Sequence, residues 1–171
     1  MNAANRQRHL QQLIHSPETL VVPDACDALS ARIIRQAGFA AVQISGYSIS
    51  ITKGYDDEKS LSFAENLERT REITEAVELP VMADGEDGYG QGNLFEHNIR
   101  RFIATGIAGI NIEDQNLWNE EIGEAIVPAE LMLKKIERVV SLKRQLEVPD
   151  FVLNARTDAL RAHTDRSTAL A

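Results

Sequence analysis

Three short stretches of this 171-residue chain gather side chains able to do chemistry. In Ala83-Asp84-Gly85-Glu86-Asp87-Gly88-Tyr89-Gly90, three acids fall within four residues, among glycines that let the backbone turn sharply. Carboxylates this close repel one another unless a positive charge sits among them. A hard divalent cation such as Mg²⁺, which takes a few carboxylates plus water, answers that need; a solvated acidic loop is the competing reading. Asn111-Ile112-Glu113-Asp114-Gln115 brings a further acid, Glu113. Asn154-Ala155-Arg156-Thr157-Asp158 brings Arg156, whose planar guanidinium can clamp a carboxylate or phosphonate through two hydrogen bonds. A structural ion pair with Glu113 or Asp158 would occupy it equally well. Ser45-Gly46 offers backbone N–H groups to an anion where glycine permits close approach, or else forms a plain turn.

Such residues act together only if the fold brings them to one place. Five short apolar runs without polar alternation, Leu20–Val22, Ala40–Ser45, Val81–Asp84, Ile107–Glu113 and Phe151–Ala155, read as strands covered on both faces. Helical patterns lie between and before them at Ala3–His15, Asp27–Ala37, Ser62–Val77, Asn93–Thr105 and Ala129–Gln145, with Asp27 placed as an N-cap. Alternation of this kind means parallel strands with right-handed crossovers, and ligands in such sheets sit beyond the carboxyl ends of the strands. Every stretch singled out above ends a predicted strand. Gly46–Leu61 and Asp114–Pro128 read as long loops of the kind that serve binding. A barrel arc and a doubly wound, flavodoxin-sized sheet both fit this order.

Composition narrows the partners. Lys and Arg number 18 against 26 Asp and Glu, a net charge of −8, which repels nucleic acid and anionic membranes but leaves room for a small anionic substrate held by a local cation. With 43% hydrophobic residues, the chain reads as one globular domain spanning residues 1–171. A single cysteine, Cys26, reads as a small packed residue and fits a reducing cytosol; the polar stretch Met1–His15 lacks the apolar centre of a signal peptide, so a cytoplasmic location is expected. No run approaches the roughly 18 apolar residues of a membrane span. His9, His15, His97 and His163 fall away from the strand ends, and neither phosphate-binding glycine fingerprint follows the third strand.

Taken in order, Pro23-Asp24-Ala25-Cys26-Asp27-Ala28-Leu29-Ser30-Ala31-Arg32, Ser45-Gly46, Gly54-Tyr55-Asp56-Asp57, the acidic stretch 83–90, Gly109-Ile110-Asn111-Ile112-Glu113-Asp114-Gln115 and the stretch 154–158 resemble the isocitrate lyase/phosphoenolpyruvate mutase superfamily. The resemblance implies an α/β fold, a parallel β/α barrel of the TIM type (pyruvate kinase-like), and a homo-oligomer. It implies Mg²⁺, or Mn²⁺, held by Asp84, Glu86 and Glu113. It further implies a lyase or mutase that cleaves or rearranges a C–C or P–C bond beside the carbonyl of a small oxo-acid through an enolate. Ser45 and Gly46 would bind the keto-acid oxygens through their backbone, Arg156 would orient the substrate, and Asp57 would be the acid of a mobile gating loop.

Three departures qualify that picture. Many members carry Asp-x-Asp where this chain has Asp84-Gly85-Glu86, one methylene longer, which points to a subgroup with Asp-x-Glu. The Lys-[Lys/Arg]-Cys-Gly-His motif of the family's lyases is absent from Asn116-Leu117-Trp118-Asn119-Glu120-Glu121-Ile122-Gly123, which removes the proton donor expected of an isocitrate or methylisocitrate lyase. A complete eight-unit barrel takes about 250 residues, so 171 residues ending in the polar stretch Ala159–Ala171 read as the N-terminal portion, about five of eight β/α units. The alternative is a catalytically silent, truncated chain that acts only as an oligomeric or binding partner.

Overall fold

Strands β1 (Asp24–Ala25), β2 (Val42–Ile44), β3 (Val81–Asp84), β4 (Gly109–Glu113) and β5 (Val152–Arg156) pair in parallel, in that spatial order, in a computed structural model that describes residues 1–116 and 126–162. Helices α1 (Ala3–Ile14), α2 (Ala28–Gln36), α3 (Gly46–Thr52), α4 (Phe63–Ala76), α5 (Gly92–Ala104), α6 (Ala129–Gln145) and α7 (Ala159–Ala162) complete the described elements. Sequential strands are always neighbours, and β1 and β5 lie at opposite edges. A doubly wound sheet reverses its strand order at a switch point; this one does not, so the arc of a TIM-type barrel is the fold and the flavodoxin-like arrangement is excluded.

The pleat sorts the side chains. Ala25, Val42, Ile44, Val81, Ala83, Ile110 and Ile112 point to the helical side, where Ile34, Leu67, Ile73, Phe95, Ile99, Phe102, Val139 and Leu142 of α2, α4, α5 and α6 bury them. The alternate positions are polar where the strands end: Asp84 on β3, Asn111 and Glu113 on β4, Asn154 and Arg156 on β5. Asn154 Nδ2 donates to Asn111 Oδ1 at 2.9 Å across that second face. Beneath it, Leu10 of α1 packs with Ala41, Met82 and Ala108 and closes the amino ends of the strands. A polar face at the carboxyl ends, an apolar plug at the amino ends and a helical jacket outside leave one place for chemistry. Among the described residues, no helix is long and apolar enough to cross a membrane.

Two expectations need correction. Leu20–Val22 is not a strand; Leu20 and Val22 pack against the cluster under α1, and the pairing with β2 begins only at Asp24. Their apolar character reports burial beneath the barrel floor rather than a place in the sheet. Gly46–Leu61 is not a plain loop, since it holds α3 and a 3₁₀ turn over Glu58–Ser60. Ser45 Oγ accepts from the Ser48 N–H at 3.3 Å to cap α3, and Ile49 is buried. A serine- and isoleucine-rich segment opening on glycine conceals that helix, because its propensity is low and only tertiary packing secures it. The expected cap at Asp27 is present, with Ser30 N–H donating to Asp27 Oδ1 at 2.7 Å in a reciprocal capping box.

Glu65, in the first turn of α4, pins the segment after α3. Its carboxylate accepts from Tyr55 Oη at 2.6 Å and from Ser62 Oγ at 2.7 Å, and Lys53 Nζ lies 3.0 Å away. The Tyr55 and Ser62 hydrogen bonds pull its pKa from 4.5 down to about 2. A depressed folded-state pKa contributes stability that is present above the ordinary carboxylate range and lost as the pH falls through the folded value. Glu65→Gln is therefore expected to destabilise the protein at pH 7, with the gap to wild type closing between pH 4.5 and about 2 in urea denaturation.

Candidate active site

The carboxyl ends of β3 and β4 bring together Asp84, Glu86 and Glu113, 6%, 3% and 1% exposed, with one oxygen of each within 4.8 Å of the others. They face a cleft of about 430 Å³, lined also by Ser45, Tyr47, Gln115 and Arg156. Asp84 closes β3. The ladder then runs past the strand, as the Gly85 N–H donates to the Asn111 carbonyl at 2.9 Å and the Glu113 N–H to the Glu86 carbonyl at 2.8 Å. That pairing keeps Glu86 on the same face as Asp84. It needs glycine at position 85, where a Cβ would lie 2.7 Å from the Asn111 carbonyl oxygen. Glu86 itself takes a left-handed φ of 49°, a departure of the kind that clusters at functional sites.

Gly46 meets the acids from the other side. Its N–H donates to Asp84 Oδ2 at 2.9 Å, and the Glu86 N–H donates to Asp84 Oδ1 at 3.2 Å. Burial nevertheless dominates and pushes the Asp84 carboxyl up, against those N–H bonds and the charge of Arg156. The amide proposed from sequence for a keto-acid oxygen is thus engaged with Asp84.

Arg156, on edge strand β5, places Nη1 2.5 Å from Glu113 Oε1 and Nη2 3.0 Å from Asp158 Oδ1. Both ion pairs that the sequence allowed are present, and the guanidinium still faces the cleft, about two-fifths exposed. Burial works against its charge, but Glu113 and Asp158 outweigh it and hold the pKa above the ordinary value. Asp158 is in turn fixed by Asp114, which accepts its N–H at 2.9 Å and the Thr157 hydroxyl at 2.5 Å, and by Gln115 Nε2. Lys135 Nζ of α6 donates to the Glu113 carbonyl at 3.1 Å. Among the described residues that line the cleft, three acids face one cation. This donor set fits a hard divalent ion: carboxylate oxygens only, already gathered, with charge left over.

Other residues fall elsewhere. Asp57 is exposed and accepts from the Ser60 N–H and hydroxyl at 3.1 and 3.0 Å; it does not line the cleft. His9 and His15 flank or lie on α1 and His97 lies on α5, away from the acids. Cys26 is half-buried with its sulfur 3.8 Å from Ser30 Oγ. The segment that lacks the Cys-Gly-His motif lies outside the described residues from Leu117 to Gly123, as does His163. Sequence reasoning passed over Tyr47, hidden by the unrecognised α3, and the supporting role of Asp114. The signal for Asp114 was there: a second acid directly after Glu113 at the end of an apolar strand, pointing to the other side of the chain.

Residues 10–171 match the phosphoenolpyruvate phosphomutase family. The 2,3-dimethylmalate lyase of Eubacterium barkeri is 34% identical over 163 residues, covering 93% of this chain and 54% of that protein. The structure of phosphoenolpyruvate phosphomutase from Streptomyces platensis subsp. rosaceus matches with a TM-score of 0.82 at 32% identity, over 96% of this chain and 57% of the other. Oxaloacetate acetylhydrolase in complex with its product oxalate matches with a TM-score of 0.82 at 30% identity, over 97% and 57%. The chain spans about half the length of the curated relatives it matches.

Proposed function

The chain belongs to the phosphoenolpyruvate phosphomutase family, within the isocitrate lyase/phosphoenolpyruvate mutase superfamily, and on that premise we propose that it serves a Mg²⁺-dependent lyase or mutase reaction on a small oxo-acid. The observation that carries the reading is the convergence of three buried carboxylates on a cleft with a single guanidinium opposite them. Mg²⁺, or Mn²⁺, would be held by Asp84, Glu86 and Glu113, and when bound it supplies positive charge to oxygen where negative charge develops. Arg156 clamps the carboxylate or phosphonate of the substrate; Asp158 and Glu113 keep its planar fork aimed while leaving part of it open to the cleft. The Ser45–Gly46 backbone supplies N–H donors to the keto-acid oxygens, with substrate competing against Asp84 for the Gly46 donor. The C–C or P–C bond beside the carbonyl breaks with its electron pair kept on the oxo-acid fragment as an enolate. The other fragment departs as a carbonyl compound after its hydroxyl proton is lost (C–C) or passes as a phosphoryl group to an acceptor oxygen (P–C). Asp57, on the segment pinned by Glu65, is the acid of a gate over the cleft. A cleft of about 430 Å³ suits a small acid.

Relatives named as a lyase, a mutase and a hydrolase support an enzyme over a silent partner. So does the cost of the cluster, since three buried acids held together are a burden on a chain with no use for them. Calorimetric titration with Mg²⁺ and then oxalate, a planar dianion shaped like the pyruvate enolate, tests the reading. Mg²⁺ is expected to bind alone and oxalate only after it; a folded sample that takes up neither would sink the proposal. Arg156→Leu should retain Mg²⁺ but weaken oxalate ~10- to 150-fold, the equivalent of losing about 1.5–3 kcal/mol of charge-assisted hydrogen bonding.

A further inference from the structure

The turn that carries the acids follows an unfavourable path. Glu86 and Tyr89 have φ of 49° and 55°, and Gly88 and Gly90 have φ of 95° and 147°. Residues with a Cβ remain in that region only where their surroundings over-determine them. The bonds from the sheet, at Gly85 and Glu86, fix only the first half of the turn.

Two buried side chains fix both ends of it. Asn66 of α4, 0% exposed, donates from Nδ2 to the Asp84 carbonyl at 2.9 Å and to Tyr89 Oη at 2.8 Å, while its Oδ1 accepts from Thr70 Oγ1 at 3.3 Å. Asn98 of α5, 1% exposed, donates from Nδ2 to the carbonyls of Gly88 at 3.2 Å and Tyr89 at 3.0 Å. One helix precedes β3 and the other follows it. Neither asparagine lines the cleft. Asn66 satisfies the Asp84 carbonyl where the strand ends and holds the Tyr89 hydroxyl, while Asn98 satisfies the carbonyls of Gly88 and Tyr89 on the left-handed path; an unpaired buried carbonyl is costly.

We propose that Asn66 and Asn98 are positioning residues for the acidic turn, a two-amide clamp through which α4 and α5 set the aim of Asp84 and Glu86. The geometry stands by itself; its consequence for metal affinity rests on the reading of the cleft given above. Inside a buried network the donors are specific. An aspartate has the same shape but sets oxygen against oxygen at these carbonyls, and alanine leaves the carbonyls bare.

The test compares the wild-type chain with Asn98→Ala, Asn66→Ala and Asn98→Ser, the last keeping one donor. Two readouts are needed: amide hydrogen exchange by mass spectrometry, and calorimetric titration with Mg²⁺ alone. The amides of Gly85, Glu86, Gly88 and Tyr89 all have acceptors in the structure, so their exchange is measurable. Exchange over residues 85–90 is expected to rise by an order of magnitude or more in the alanine variants while β4 keeps its protection. Mg²⁺ affinity should fall roughly 10- to 100-fold, as it does when the partner orienting a ligand is lost, with Asn98→Ser intermediate. Variants that melt earlier but keep wild-type exchange at 85–90 and wild-type Mg²⁺ affinity overturn the clamp. If the alanine variants do not fold, Asn98→Ser carries the comparison on the same terms. A wild type that takes up no Mg²⁺ defeats the reading of the cleft instead, and exchange then decides the clamp by itself: loosening confined to 85–90 upholds it, uniform loosening overturns it.

Discussion

Gly46→Ala is expected to weaken divalent-ion binding by at least roughly 10- to 100-fold while leaving the fold as stable as before. A Cβ on Gly46 would lie 1.7 Å from Glu86 Oε1 and 2.9 Å from its carboxyl carbon, with Leu61 Cδ2 the next neighbour at an ordinary 3.6 Å. The two overlapping atoms belong to the free end of one side chain, so the carboxylate swings aside and the backbone stays. Gly46 does not use a positive φ and opens α3, where alanine is the better residue by about 0.5–1 kcal/mol. The substitution therefore separates site from scaffold: Mg²⁺ titration should show the loss, and thermal denaturation should show none. Wild-type affinity in this variant would remove Glu86 from the ligand set.

Asp84→Asn should do the opposite to the scaffold and more to the site. Burial raises the Asp84 pKa above its ordinary 3.8. A carboxyl raised in the folded state contributes stability that is complete below the ordinary value and lost as the pH climbs through the raised one. The metal-free wild type should accordingly weaken as the pH climbs above the ordinary carboxylate range, and the D84N variant should weaken less. Each like-charge pair at 4.8 Å is worth about 3 kcal/mol at an effective dielectric constant near 20. The variant relieves two such pairs and takes the charge out of two hydrogen bonds, those from the Gly46 and Glu86 N–H groups, worth at most about 1.5–3 kcal/mol each. Urea denaturation in EDTA should find it more stable than wild type at pH 8, with a smaller gap at pH 4. Mg²⁺ binding should be gone. A variant that is less stable at both pH values would show that the acids do not repel as their spacing requires.

How much of this was legible beforehand follows from where each signal resides. Asp84, Glu86, Glu113 and Arg156 could be read because charge that abruptly ends an apolar run has few structural uses, and the alternation of strands and helices told which end of the sheet would collect them. Gly46 was legible as a close approach but not for its partner, since the 38 positions to Asp84 are bridged only by the parallel pairing of β2 with β3. Asn66 and Asn98 left no trace: an asparagine on an amphipathic helix looks like surface until the neighbouring turn is seen beneath it. The first strand was misplaced because Leu20 and Val22 are partly buried against the cluster of Leu10, Ala41, Met82 and Ala108 without pairing in the sheet. Propensity and periodicity report burial, not what does the burying.

The bond from the Glu113 N–H to the Glu86 carbonyl has one more implication. It ties two of the three acids together through main chain rather than through flexible side chains, and the Glu86 carboxylate fills the space that a side chain on residue 46 would take. A cage built on such a ruler resists widening. Oxygens settle at about 2.1 Å around Mg²⁺ but at about 2.3–2.6 Å around Ca²⁺, which also asks for more of them. On the proposed reading of the cleft, the main-chain tie is expected to favour the smaller ion at equal charge.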